Sequence, residues 1–279
     1  MNIIDGRKIA KQIREDIAKE VETFERPPGL AVILVGEDPA SAVYVRNKEL
    51  ACIEAGFFSD KIIKSENTTQ EELLDEIERL NNNPRIDGIL VQLPLPSHID
   101  SSKVIEHISP NKDIDGFHSE NIGKLTQNKS NLRPCTPKGV MTMLASIGCE
   151  VRGKDCVVVG ASNIVGKPMA LELLNAGGTV TICNSKTKDT AEKTRSADIV
   201  VVGVGIPKLV KGDWVKDGVI VIDIGINRLD DGSLVGDVDF DSIKEKAAAI
   251  TPVPGGVGPM TIATLLENTV IAYKENQSS

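Results

Sequence analysis

Tyr44 and Lys48 are the side chains whose types and spacing could do chemistry together, with Gln92 a candidate to face the same crevice. A lysine amine can carry a proton, a tyrosine can pack on a flat ring, and a glutamine amide can hydrogen-bond to the amine. Tyr44 and Lys48 are four residues apart, so on a helix they share a face, with Ser41 one turn earlier. Alone, such a pair also fits a solvated lysine beside a half-buried tyrosine. The elements around it decide between the two.

Asp38-Pro39 is an N-cap followed by a first-turn proline, and Gly56 can close the same helix, so a helix is predicted over 38–56. The apolar run Leu30 to Val35 is a strand that delivers the chain into it. Before it, Ile9, Ile13, Ile17 and Val21 recur every four residues, an amphipathic helix ending ahead of Pro27-Pro28. After it come a strand near 61–64 and a capping-box helix from Thr69, with Glu72 three residues on, through Leu80. The run Ile86 to Leu93 ends in Gln92 and then meets Pro94 and Pro96. Alternating strands and helices imply an open parallel sheet, which takes ligands beyond the carboxyl ends of its strands. The 38–56 helix and Gln92 both follow such ends and can face one crevice. Asp115-Gly116, inside the charged stretch Lys112 to Phe117, is a tight-turn dipeptide that also suits an ordinary turn.

Arg133 to Pro137 reads as a connector, with Thr136 as N-cap and Pro137 opening a helix through Ile147. A second alternating unit follows: a strand at 157–159, a turn at 160–166, a helix at 168–176, and strands at 179–183, 198–202 and 219–224. This is the pattern of a doubly wound nucleotide-binding domain. The turn, Gly160-Ala161-Ser162-Asn163-Ile164-Val165-Gly166-Lys167-Pro168, is not G-x-G-x-x-G, because Ser162 takes the second glycine position. Nor is it a Walker A loop, because Pro168 stands where a magnesium-binding Ser or Thr would be. Small residues at a helix N-terminus still let backbone N–H groups approach a phosphate. The second strand ends in Asn184-Ser185-Lys186, without the carboxylate that holds the ribose of NAD. A hydroxyl and an amine there favour the 2′-phosphate of NADP, although Ser185 also suits a plain polar turn. The chain closes with the turn 252–259, a helix from Pro259 through Ile271, and a tail, 275–279, with the composition of a disordered end.

With 279 residues the chain has room for two domains, and aromatics at 3% among abundant Val, Ile and Gly suit an α/β protein with buried parallel strands. A net charge of −8 argues against nucleic-acid or anionic-membrane partners. Cys52, Cys135, Cys149, Cys156 and Cys183 form no C-x-x-C pair and are odd in number, which fits a reducing cytoplasm. His98, His107 and His118 lack metal-ligand spacing, so no metal site is expected. Residues 1–14 resemble neither a signal peptide nor a membrane span.

Five motifs in one order, Tyr44-x-x-x-Lys48, Val91 to Pro96, Lys112 to Phe117, Gly160 to Pro168 and Pro252 to Pro259, span nearly the whole chain. Together they resemble bifunctional methylenetetrahydrofolate dehydrogenase/methenyltetrahydrofolate cyclohydrolase. The resemblance implies an N-terminal α/β folate-binding domain completed by the C-terminal helix (1–138 with 257–279) and a Rossmann-type NADP-binding domain (139–256). It implies a homodimer that acts on tetrahydrofolate one-carbon derivatives and feeds purine biosynthesis. By the same resemblance Lys48 is the acid/base group, Tyr44 packs on the folate, Gln92 contacts the lysine and Asp115 holds the pterin. Substrate contacts are implied at Val91, Leu93, Pro254, Gly255 and Gly256, and cofactor contacts at Gly160, Ala161, Ser162, Gly166, Ser185 and Ile226. One departure is Ala161, where the family commonly has arginine, so NADP preference rests on Ser185 and Lys186.

Hydride transfer mainly needs alignment, whereas hydrolysis of a methenyl cation needs proton transfers and hence a base. A lysine serves near neutral pH only when its pKa falls from about 10.4 toward 7, a change of roughly 4 kcal/mol that burial and a cationic substrate can supply. Two other readings share the motifs: a dehydrogenase without cyclohydrolase activity, and a non-catalytic NADP-binding sensor. Formyl product separates the first, and cofactor binding without hydride transfer would mark the second.

Overall fold

The computed structural model describes residues 2–277, with only the backbone described at 39 and 40. In chain order the elements are β1 (Asn2–Ile3), α1 (Gly6–Val21), β2 (Gly29–Val35), α2 (Pro39–Glu54), β3 (Phe58–Lys64), α3 (Gln70–Asn81) and β4 (Gly88–Val91). Then come α4 (Ser101–His107), α5 (Ser119–Thr126), α6 (Cys135–Ser146), β5 (Asp155–Val159), α7 (Gly166–Asn175), β6 (Thr179–Cys183), α8 (Thr190–Arg195) and β7 (Ile199–Val202). A 3-10 turn (Gly212–Trp214) precedes β8 (Ile220–Asp223), β9 (Asn227–Arg228), β10 (Leu234–Val235), α9 (Phe240–Ile243), β11 (Ala249–Ile250) and α10 (Val257–Gln277). The chain divides into two compact units, Lys11–Cys135 with Ile262–Ser279, and Met1–Ala10 with Thr136–Thr261.

The first of these units holds a three-stranded parallel sheet in the order β3-β2-β4. All seven residues of β2 are buried, and their alternation decides which layer each enters. Leu30, Val32 and Leu34 join a core with Ile17, Val45, Cys52, Leu265 and Leu266, while Ala31, Ile33 and Val35 join Leu73, Ile77, Leu80 and Val104. Helices therefore cover both faces, and burying each Leu, Ile or Val contributes about 1.5–3 kcal/mol. Beneath the sheet, Arg26 makes two bonds to the buried Asp87 carboxylate, at 2.7 and 2.8 Å, and the Gly29 N–H adds a third at 2.8 Å. This pins the start of β2 to the start of β4.

The other unit is a six-stranded parallel sheet in the order β1-β11-β8-β7-β5-β6. Counted from β5, its strands run 2-1-3-4-5, a doubly wound order whose reversal falls between β5 and β7. Residues 2–10 cluster with this sheet, and the Asn2 and Ile4 N–H groups donate to the carbonyls of Ala248 and Ile250, each at 2.9 Å. A two-residue strand has no periodicity to reveal it.

Other differences have local causes. Helix α6 starts at Cys135, so Thr136 lies inside its first turn, where its hydroxyl pairs with that of Thr261 at 2.9 Å rather than capping. Helix α10 starts at Val257 and runs through Gln277, so 275–277 are helical; Ser278 and Ser279 lie outside the described residues. Near that end, Lys274 donates to Glu20 at 2.5 Å and Asn276 to Asp87 at 3.4 Å.

Candidate active site

Helix α2 begins as its sequence dictates, with the Asp38 carboxylate accepting the Ser41 N–H at 2.7 Å. From there its inner face carries Ser41, Val45, Lys48 and Cys52, all buried, at helical spacing. Lys48 is only 8% exposed, which removes the reading of it as a solvated lysine. Its Nζ donates to Gln92 Oε1 at 3.0 Å, across from α2 to the residue that follows β4. The Gln92 amide is itself fixed, because Nε2 donates to the Leu93 carbonyl at 2.7 Å and turns the oxygen to the lysine. The Leu93–Pro94 peptide is cis. Val91 is buried at the end of β4 and Leu93 is half-buried beside Gln92. Tyr44, one turn before Lys48, is 39% exposed, and partial burial raises its phenol above the ordinary range. Burial pushes the Cys52 thiol up to about 12 against the pull of the Lys48 charge, so this cysteine is no nucleophile.

The two acids of the 112–117 stretch have separate tasks. Asp113 is spent internally, accepting from the Gly116 and His118 N–H groups at 3.2 and 2.8 Å and from Asn121 Nδ2 at 2.9 Å. Asp115 is half-buried, and burial pushes its carboxyl up to about 6, with the nearby Lys48 charge opposing and Asp113 adding to the rise. Lys112 turns away to the end of α3, donating to the carbonyls of Leu80, Asn81 and Asn83 at 3.1, 2.7 and 2.9 Å. Lys48, Gln92 and Asp115 thus converge beyond the carboxyl ends of β2 and β4, with Tyr44 on the same helical face. The cluster offers an amine, a fixed acceptor and a carboxylate poised near neutrality.

Pro254, Gly255 and Gly256 belong to the other unit, in the turn that leads into α10, where the Gly255 carbonyl accepts from the Arg7 N–H at 3.2 Å. In that unit the Gly160 loop joins β5 to α7. Gly160 has φ +126°, and a Cβ there would stand 2.3 Å from the Gly203 carbonyl oxygen, so only glycine lets the ends of β5 and β7 meet. Ser162 Oγ accepts from the Val165 and Gly166 N–H groups at 3.1 and 3.4 Å. The N–H groups of Ala161, Ser162, Asn163 and Ile164 find no acceptor among the described residues. A run of open donors before a ten-residue helix is what a pyrophosphate requires, so the loop fits a dinucleotide. Ser185 and Lys186 are exposed just past β6, on a turn closed by Asn184 and Thr187. Ile226 is 43% exposed past β8. Sequence reasoning passed over Gly203 and Gly205, although two glycines closing an apolar run at β7 were a usable signal.

Among the described residues no group of three or more His, Cys, Asp or Glu side chains is placed to hold a metal ion. None of their helices is long and apolar enough to cross a membrane.

The catalytic-domain model of tetrahydrofolate dehydrogenase/cyclohydrolase matches residues 4–115, and the model of its NAD(P)-binding domain matches residues 134–277. The chain belongs to the tetrahydrofolate dehydrogenase/cyclohydrolase family. It is 68% identical over 274 residues to the bifunctional protein FolD of Ruthia magnifica subsp. Calyptogena magnifica, covering 98% of this chain and 99% of that one. Among solved structures it matches the bifunctional FolD enzyme of Campylobacter jejuni with a TM-score of 0.97 and 49% identity, over 99% of both chains. It also matches FolD of Trypanosoma brucei, complexed with NADP cofactor and inhibitor, with a TM-score of 0.96 and 41% identity, over 99% of this chain and 98% of that one. The family is bifunctional, an oxidoreductase and a hydrolase of one-carbon folates, and its two-domain α/β architecture is the one described above.

Proposed function

We propose that this chain oxidises methylenetetrahydrofolate with NADP and then hydrolyses the methenyl product to 10-formyltetrahydrofolate, with Lys48 as the acid/base group of the second step. The observation that carries this reading is the buried Lys48 Nζ held 3.0 Å from Gln92 Oε1. Because Gln92 accepts, it takes one N–H of the lysine in either protonation state and leaves the lone pair of the neutral amine free for a proton. Asp115 as a carboxylate accepts from pterin N–H groups, and Tyr44 offers its ring to the folate.

We assign folate binding to the unit of 11–135 with 262–279, with Val91 and Leu93 among its contacts. Cofactor binding falls to the Gly160 loop with Ala161, Ser162, Gly166, Ser185 and Ile226. Bound NADP supplies the hydride acceptor. The protein's own part in that step is to orient the dinucleotide through the open N–H groups of 161–164 and the turn at Ser185. The NADP bound to the trypanosomal relative supports this choice. We further propose a cytoplasmic homodimer without nucleic-acid or membrane partners. On the outer face of α2, Val43, Leu50 and Ile53 are exposed, and Ile63 of β3 is 62% exposed, an apolar surface suited to a second copy.

Following absorbance as methylenetetrahydrofolate is added with NADP tests the reading. Reduced cofactor followed by formyl product is expected; reduced cofactor alone would leave a dehydrogenase only, and neither would leave a binding protein.

A further inference from the structure

Two buried carboxylates at the carboxyl end of the six-stranded sheet have no part in the chemistry above. Asp237 is 0% exposed and Asp223 3%, and neither is paired with a cation among the described residues. Instead they organise backbone. Asp237 Oδ2 accepts from the Val204 and Gly205 N–H groups at 2.5 and 2.8 Å, and Oδ1 accepts from Asn227 Nδ2 at 2.8 Å. Asp223, the last residue of β8, accepts from the N–H groups of Gly225 and Asp237, both at 3.0 Å, and of Val238 at 2.9 Å. Gly225 makes room for this: a Cβ there would lie 2.2 Å from Asp237 Cγ and 2.3 Å from its Oδ1.

Burying two acids without a counter-ion is costly, and apolar side chains would fill the space at less expense. What the acids provide is a fixed path for two loops. Val204 and Gly205 follow β7, while Gly225, Ile226 and Asn227 follow β8. A dinucleotide with its pyrophosphate on the loop after β5 and its 2′-phosphate past β6 extends its nicotinamide half toward β7 and β8. Ile226 stands there exposed, between Gly225, anchored by Asp223, and Asn227, anchored by Asp237.

We propose that Asp237, braced by Asp223, is a positioning residue for the nicotinamide half of the cofactor, holding Val204–Gly205 and Asn227 so that Ile226 is presented at a fixed height. This rests on the NADP assignment above, for which reduction of NADP by the wild-type chain is the separate check.

The test measures the Kd for NADP by calorimetry, alongside cyclohydrolase turnover of methenyltetrahydrofolate without cofactor. Asp237→Ala is expected to raise the Kd at least tenfold and to leave cyclohydrolase turnover within twofold. Asp237→Asn is expected to restore the Kd to within threefold, because an amide oxygen can accept from both N–H groups while Asn227 turns its own oxygen to the new NH2. Gly225→Ala, which displaces the carboxylate without removing it, is expected to raise the Kd as Asp237→Ala does. Unchanged Kd values in Asp237→Ala and Gly225→Ala would overturn the proposal. A loss of cyclohydrolase turnover that parallels the loss of binding would also do so, and so would an asparagine variant as poor as the alanine one.

Discussion

Gln92 accepts a hydrogen bond from Lys48 at 3.0 Å while its own amide nitrogen is tied to the Leu93 carbonyl at 2.7 Å, so the acceptor faces the lysine by construction. Removing it with Gln92→Leu is expected to lower cyclohydrolase kcat roughly 10–30-fold, the worth of about 1.5–2 kcal/mol for a hydrogen bond to a charged group. Gln92→Glu should instead move the activity profile to higher pH, because a carboxylate favours the ammonium and the base must be the amine. Steady-state rates between pH 6 and 10 check both; a profile unmoved by the glutamate would separate Gln92 from the proton transfer.

Asp115 ties stability to function. Its carboxyl is raised from 3.8 to about 6, so the protonated form favours the folded state: that contribution is complete below about pH 4 and lost as pH rises through 6. Partial exposure reduces the effect to about 1–2 kcal/mol. Asp115→Asn should therefore melt with the wild type at pH 4 and roughly 2–6 °C above it at pH 8. The same variant should bind folate at least tenfold more weakly at pH 8, because the carboxylate is the form that accepts from the pterin. Unchanged folate affinity would remove Asp115 from the site.

Lys112 sits in the same motif and is assigned no chemistry. Lys112→Met leaves the three carbonyls at the end of α3 without their donor and is expected to cost about 2–3 kcal/mol of stability. Denaturant melts should show that loss, with kcat/KM within twofold of wild type at temperatures where the variant is folded. A tenfold fall in kcat/KM would place the lysine in the site.

Cofactor choice can be read from one position past β6. Ser185→Asp puts a carboxylate where the 2′-phosphate is assigned, and should lower kcat/KM for NADP at least tenfold while that for NAD holds or rises. Equal efficiencies for NADP and NAD in the wild type would contradict the assignment.

The long elements were legible because their signals are local. Asp38-Pro39 at α2, the Thr69 and Glu72 capping box at α3 and the apolar runs of β2 and β5 each need only neighbours in sequence. Short elements were not: α4, α5 and α8 have N-caps at Asp100, His118 and Asp189 but too few residues for a period to show. The site divided along the same line. Tyr44 and Lys48 share a helix and could be paired from spacing, whereas nothing in Asp113-Ile114-Asp115 tells which acid is consumed by its own turn. Asp223 ends β8 and Asp237 lies in the loop between β10 and α9, and only the folded chain shows that they anchor two loops.

The central claim is that Lys48 moves the proton in hydrolysis. Formation of 10-formyltetrahydrofolate from methenyltetrahydrofolate by Lys48→Met tests it most directly, with folate affinity and thermal melting measured on the same preparation. The account predicts turnover reduced at least a thousandfold with folate still bound and the fold intact; turnover near that of the wild type would contradict it.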